Sequence, residues 1–153
     1  MGDAKPQPER TRGSKRATRP AASHRRVRAD HATELAEDYV EAIYELGGKD
    51  GTCRAVDLAS RFGVSHVTVS RTIGRLKRDG FVIAEPYRPI ALTKKGRRLA
   101  EASQRRHRIV VAFLQAIGVS ERTAAIDAEG IEHHVSPETL ARFEAIADRG
   151  SLP

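Results

Sequence analysis

The feature that most constrains this chain is a change of hydrophobic period between residues 54 and 92. Residues 54–62 read as a short helix carrying Val56, Leu58, Ala59 and Phe62, and 66–79 as a second with Val69, Ile73 and Leu76 on one side. Between them Gly63 can take the positive φ of a helix end, and Ser65 can cap the next helix start. After Gly80 the pattern becomes that of strands, with 81–85 and Ile90–Leu92 β-prone and 86–89 forming the turn. Two short helices crossing at small Ala59, followed at once by a hairpin, predict a winged helix-turn-helix. The wing is expected to be two-stranded, and Cys53 to lie in a loop.

The exposed side of the second helix, with His66, Thr68, Ser70, Arg71, Arg75 and Arg78, gives that fold a use. Its first turn enters a major groove, so Ser65, His66, Val67, Thr68 and Arg71 are the candidates for base edges. Arg75, Lys77, Arg78 and Arg88 are placed for phosphates, which add salt-sensitive affinity and little specificity. Charge agrees with a polyanionic partner: 27 Lys/Arg stand against 20 Asp/Glu. Much of the excess lies in residues 1–32, where nine Lys/Arg face only Asp3, Glu9 and Asp30. That stretch lacks apolar periodicity and is expected to be a disordered basic arm. Nothing resembles a secretory signal or a membrane span, and the longest strongly apolar run is 109–114, so a cytoplasmic location is expected. A lone Cys53 forms no internal disulfide or cysteine-rich zinc site. The absence of a catalytic triad, phosphate loop or dinucleotide fingerprint argues against an enzyme.

Helices flank this module. Leu35, Tyr39, Val40, Ile43 and Leu46 make one stripe from Thr33 to the glycines at 47, 48 and 51. Thr93 caps a long helix to about Ile117, with Leu99, Ala102, Ile109, Val110, Phe113, Leu114 and Ile117 as its apolar face. Ser120 opens a helix to about Val135, and Ser136-Pro137 starts a last one with Leu140, Phe143 and Ile146. The fold class is mainly α with a small β wing: a winged helix-turn-helix at 33–95, then a helical metal-binding and dimerisation domain at 96–153.

Three features exceed what a plain DNA reader needs. Asp38 and Glu41 share one helix face; Glu129, Glu132 and His133 stand at i, i+3 and i+4 on another helix; His107 flanks the apolar stripe of the long helix. Four carboxylates and two imidazoles can satisfy one or two octahedral divalent ions, and hard oxygens with some imidazole suit Mn²⁺ or Fe²⁺ better than soft sites do. A carboxylate-bridged di-metal oxidase is the enzymatic rival, but it needs paired Glu-x-x-His motifs, and no second copy is present.

The stretches "EDYVEAIYEL", "LTKKG", "RRHRIVVAFLQAIGV" and above all "DAEGIEHHVS" resemble the manganese transport regulators of the diphtheria-toxin-repressor family of metal-dependent transcriptional regulators. The likeness covers about residues 33–153. It implies a cytoplasmic homodimer that binds two Mn²⁺ ions per subunit between its domains, reads palindromic operator DNA and represses manganese-uptake genes. Carried over, the metal ligands fall on Asp38, Glu41, His107, Glu129, Glu132 and His133. Iron-responsive members have Met and Cys at the positions of Asp38 and Glu129, so the resemblance favours manganese, with Fe²⁺ or other divalent ions as alternatives.

Overall fold

A computed structural model describes residues 19–48 and 51–150, with side chains from Asp30 onward. The elements run α1 (Arg19–Gly47), β1 (Thr52–Cys53), α2 (Ala55–Phe62), α3 (His66–Arg78), β2 (Val82–Ile83), β3 (Ile90–Leu92), α4 (Lys94–Ala116), α5 (Glu121–Ile131), a 3₁₀ turn (Glu132–His134) and α6 (Pro137–Ala147). The expected punctuation is observed where side-chain chemistry is local. The hydroxyls of Ser65, Thr93, Ser120 and Ser136 accept from the backbone N–H three residues on, capping α3, α4, α5 and α6. Gly63 ends α2 in the left-handed region, at φ 62° and ψ 34°.

Two cores follow. In the first, Tyr39 and Ile43 of α1 pack with Leu58, Val69, Leu76, Val82 and Ile90, and the Tyr39 and Phe62 rings stack at 4.4 Å. The second joins Val110 and Leu114 of α4 to Ala124 and Ala128 of α5. Phe143 of α6 stacks on Phe113 at 3.8 Å. Helix α4 spans both halves, because its N-terminus lies against the wing. Gly96 makes that possible: a Cβ there would stand 2.0 Å from the Phe81 carbonyl oxygen.

Five expectations are corrected. Helix α1 begins at Arg19, not Thr33, so residues 19–32 of the expected disordered arm are helical; residues 1–18 lie outside the described residues. Ala and Arg, frequent in 19–32, are strong helix formers and extend a helix already nucleated by the packed segment downstream. Cys53 lies not in a loop but in β1, buried and paired with Ile90. The sheet therefore has three antiparallel strands in the order β1-β3-β2, because a two-residue strand carries too little periodicity to be seen in the sequence. Helix α5 stops at Ile131, short of the expected end near Val135, and the chain tightens into the 3₁₀ turn before Val135 turns extended at φ −86° and ψ 125°. On α4, Ala100 and Ser103 are buried whereas Ala102 is exposed.

Candidate metal centre and DNA-reading face

All six side chains of the acid and histidine set line one cavity of about 520 Å³. Asp38 and Glu41 enter from α1, His107 from α4, Glu129 from α5, and Glu132 and His133 from the 3₁₀ turn. The tightening of that turn does not scatter them. Glu132 is 3% exposed and its two oxygens face different imidazoles: Oε2 stands 2.6 Å from His107 Nδ1 and Oε1 3.8 Å from His133 Nε2. His107 Nδ1 is also 3.9 Å from Glu129 Oε1, and His133 Nε2 is 3.3 Å from Asp38 Oδ1.

The sequence reading missed the residues that hold these groups. Glu37 is buried; its Oε2 is 2.8 Å from His133 Nδ1 and its Oε1 2.7 Å from Arg106 Nη2. With the Glu37 carboxylate on Nδ1, the Nε2 face of His133 is presented to Asp38 and Glu132. A signal existed for this pair. Glu37 lies three residues before buried Val40, and Arg106 four before buried Val110, so both are charged residues on apolar lines.

Crowding and burial set the electrostatics. Burial raises the Asp38 carboxyl above its ordinary range, against the nearby His133, with Glu129, Glu37 and Glu34 pushing the same way as burial. Glu41 is raised by burial, opposed by the Ser103 hydroxyl. Glu132 is raised by burial, opposed by its hydrogen bond to His107. For His133, burial alone would lower the value, but Glu37, Asp38 and Glu132 together outweigh it and raise it. Burial penalises the charges of these carboxylates, neighbouring carboxylates add to that, and a cation relieves the cost.

The donor chemistry fits a hard divalent ion, as carboxylate oxygens dominate and thiolate is absent. His107 approaches Glu132 at 2.6 Å and His133 approaches Asp38 at 3.3 Å, which brings imidazole and carboxylate donors into one region. Among the described residues no three His, Cys, Asp or Glu groups are already arranged around one point. The donors face one another in pairs, so ion binding requires them to exchange protons and turn.

The cavity also touches the helix-turn-helix. Arg61 and Phe62 of α2 form part of its wall, and Arg61 Nη2 donates to Glu45 Oε2 of α1 at 3.0 Å. Beyond α2, the candidate reading residues Ser65, His66, Val67, Thr68, Arg71, Arg75 and Arg78 are all exposed along α3, and Arg88 is exposed on the wing. Two of these side chains already have intramolecular partners. The Ser65 hydroxyl is occupied as the cap, and Lys77 Nζ donates to the Ala84 carbonyl at 2.8 Å, fastening α3 to the wing and leaving that ammonium less available to phosphate. Val67, 61% exposed in the first turn of α3, offers an apolar surface where a thymine methyl could sit.

Residues 31–90 match the iron dependent repressor N-terminal DNA binding domain, and residues 93–149 match the iron dependent repressor metal binding and dimerisation domain. The chain belongs to the iron-dependent repressor family. Over 125 residues it is 47% identical to the transcriptional regulator MntR of Salmonella typhimurium, covering 82% of this chain and 80% of that protein. It is 38% identical over 111 residues to the HTH-type transcriptional regulator MntR of Geobacillus kaustophilus, covering 72% and 79%. Among solved structures it is similar to a manganese-dependent transcriptional repressor in complex with manganese, with TM-score 0.66, 34% identity, and 74% of this chain and 52% of that one covered. The manganese regulator SloR aligns with TM-score 0.64 and 30% identity, over 74% of this chain and 53% of that one. The chain spans about half the length of these solved chains. No helix among the described residues is long and apolar enough to cross a membrane.

Proposed function

We propose that this chain is a manganese-dependent DNA-binding repressor, acting in the cytoplasm as a homodimer on palindromic operators of manganese-uptake genes, with Mn²⁺ as corepressor. The observation that carries this reading is the common cavity: one enclosure between the helix leading into the DNA-reading module and the helices of the C-terminal half collects all six candidate ligands.

Asp38, Glu41, His107, Glu129, Glu132 and His133 would hold the metal, in numbers up to two ions per subunit. Bound Mn²⁺ supplies the positive charge that the raised carboxylates lack. Asp38 and Glu41 then fix α1 against α4, α5 and the 3₁₀ turn, while Glu37 keeps His133 oriented. The Arg61–Glu45 bridge and the Tyr39–Phe62 stack carry that restraint into α2, and through it to α3. In a dimer, both α3 helices are then held near one helical turn apart, ~34 Å, to meet successive major grooves. Arg71 and the first turn of α3 read bases; Arg75, Arg78 and Arg88 meet phosphates. The coupling is reciprocal, so operator DNA tightens metal binding.

The test is fluorescence anisotropy on an operator from a manganese-transporter promoter, with Mn²⁺, anaerobic Fe²⁺ and Zn²⁺ titrated in turn. Binding that requires Mn²⁺, and that Asp38→Ala and Glu129→Ala abolish without loss of helicity, supports the reading. Equal affinity in chelator removes the metal from the mechanism, and a stronger response to Fe²⁺ or Zn²⁺ reassigns the corepressor.

A further inference from the structure

A second cluster adjoins the six-donor cavity and has no part in the mechanism above. His31 and Glu34 stand three apart on α1, and His134 ends the 3₁₀ turn. Glu34 faces an imidazole with each oxygen: Oε2 is 3.2 Å from His31 Nδ1, and Oε1 is 3.3 Å from His134 Nε2. The Oε1 atom is buried and accepts no hydrogen bond, although His134 is so close. We propose that His31, Glu34 and His134 form an additional cation site, selective for zinc-class ions, which clips α1 to the turn carrying Glu132 and His133.

Geometry and donor type both support this. Tetrahedral coordination with bonds of ~2.0–2.1 Å sets neighbouring donors ~3.3 Å apart, close to both observed separations. Two imidazoles and one carboxylate make a softer, less charged set than the four-carboxylate site, which favours Zn²⁺ or Co²⁺ over Mn²⁺. The imidazoles of His31 and His134 are 71% and 64% exposed, so an ion arrives from solvent without opening the fold and keeps water in its remaining position. Glu34 is only 22% exposed and lines both the large cavity and an adjoining groove of about 320 Å³, which also includes Asp30 and Ser136. As in the larger site, the donors are paired and not yet gathered around one point, so ion binding requires the two exposed rings to turn towards Glu34. An ion here joins the elements whose relative position the six-donor site controls, giving a second metal a hold on the same switch.

The full chain, loaded with Mn²⁺, is given one equivalent of ZnCl₂, desalted and assayed for both metals by mass spectrometry. The wild-type chain is expected to gain one Zn²⁺ and keep its Mn²⁺, while His31→Ala, His134→Ala and Glu34→Gln lose the zinc gain and keep the manganese. Zinc uptake matched by equal manganese loss, or uptake undiminished in all three variants, overturns the site. The Asp38→Ala/Glu129→Ala chain separates the two readings: it is expected to lose manganese loading and still take up zinc that His134→Ala removes. Absence of manganese from the wild-type chain would therefore count against the proposed function alone.

Discussion

Glu37 shows how much of this centre depends on a side chain outside the candidate ligand set. Its carboxylate touches His133 Nδ1 and Arg106 Nη2 at once, in a buried position. Glu37→Gln keeps the volume but removes the charge that orients the ring and balances Arg106. Partners of this kind are worth ~10–100-fold in metal affinity. A calorimetric Mn²⁺ titration of Glu37→Gln should show a loss in that range with the circular dichroism spectrum retained; unchanged affinity would mean that His133 needs no such support. Cys53 is the opposite case, a chemically able residue kept inert. Burial, with Asp57 adding to it, pushes its thiol up to about 11. Iodoacetamide at pH 7.5 should modify it ~10²-fold more slowly in the folded protein than in urea. Comparable rates would show that β1 opens readily.

At the scale of elements, the joints matter more than the helices. Gly96, in the first turn of α4, lets that helix lie directly against the wing, and an added Cβ would meet the Phe81 backbone first, with the Leu92 side chain beside it. Gly96→Ala should therefore cost at least ~2 kcal/mol, read as a lower urea midpoint, because the Phe81 carbonyl cannot turn aside as a side chain could. A midpoint within error of the wild type would show that the wing shifts freely. At the start of α3, Ser65 joins the same class of residue. Its hydroxyl accepts from Thr68 N–H and lies 3.0 Å from the Thr68 hydroxyl. Ser65→Ala should lower stability by ~1 kcal/mol and leave the choice of operator bases nearly unchanged. Altered base selectivity at full stability would show that the Ser65 hydroxyl contacts bases as well as capping α3.

For the molecule as a whole, the carboxylate cluster links metal, pH and stability. Asp38, Glu41 and Glu132 all have folded values above their ordinary ones. Each favours the folded state below its unfolded value, and that contribution disappears as pH rises through the folded value. Above it the ionised cluster opposes folding. In chelator these groups should therefore pull stability down as pH rises from the acid range towards neutrality. A divalent cation, which binds the ionised forms, should raise Tm more at pH 7.5 than at pH 5. Calorimetry with and without Mn²⁺ at both values checks this, and an equal Tm increase at the two pH values would detach ion binding from these carboxylates.

The order of helices, the wing and the caps were legible in the sequence because each rests on short-range chemistry. Gly63, Ser65, Thr93 and Ser136-Pro137 act within a turn of their own positions. The six candidate ligands were legible as residue types at helical spacing, but their meeting in one cavity was not, since it depends on how α1, α4 and α5 pack across separations of 25 to 96 residues. Strand β1 was hidden because two residues have no period, and its pairing with β3 is a long-range hydrogen-bond choice. Helix 19–32 was hidden because it lacks an apolar stripe and is carried by propensity and continuity with the packed part of α1. Glu37 and Arg106 were legible only as charged residues on apolar lines; their pairing came with the packing that buries Glu37 and half-buries Arg106 against it. Local elements and donor chemistry follow from residue types and short-range spacing; which donors meet and what holds them follows from packing, because burial and opposition across elements exist only after the chain has folded.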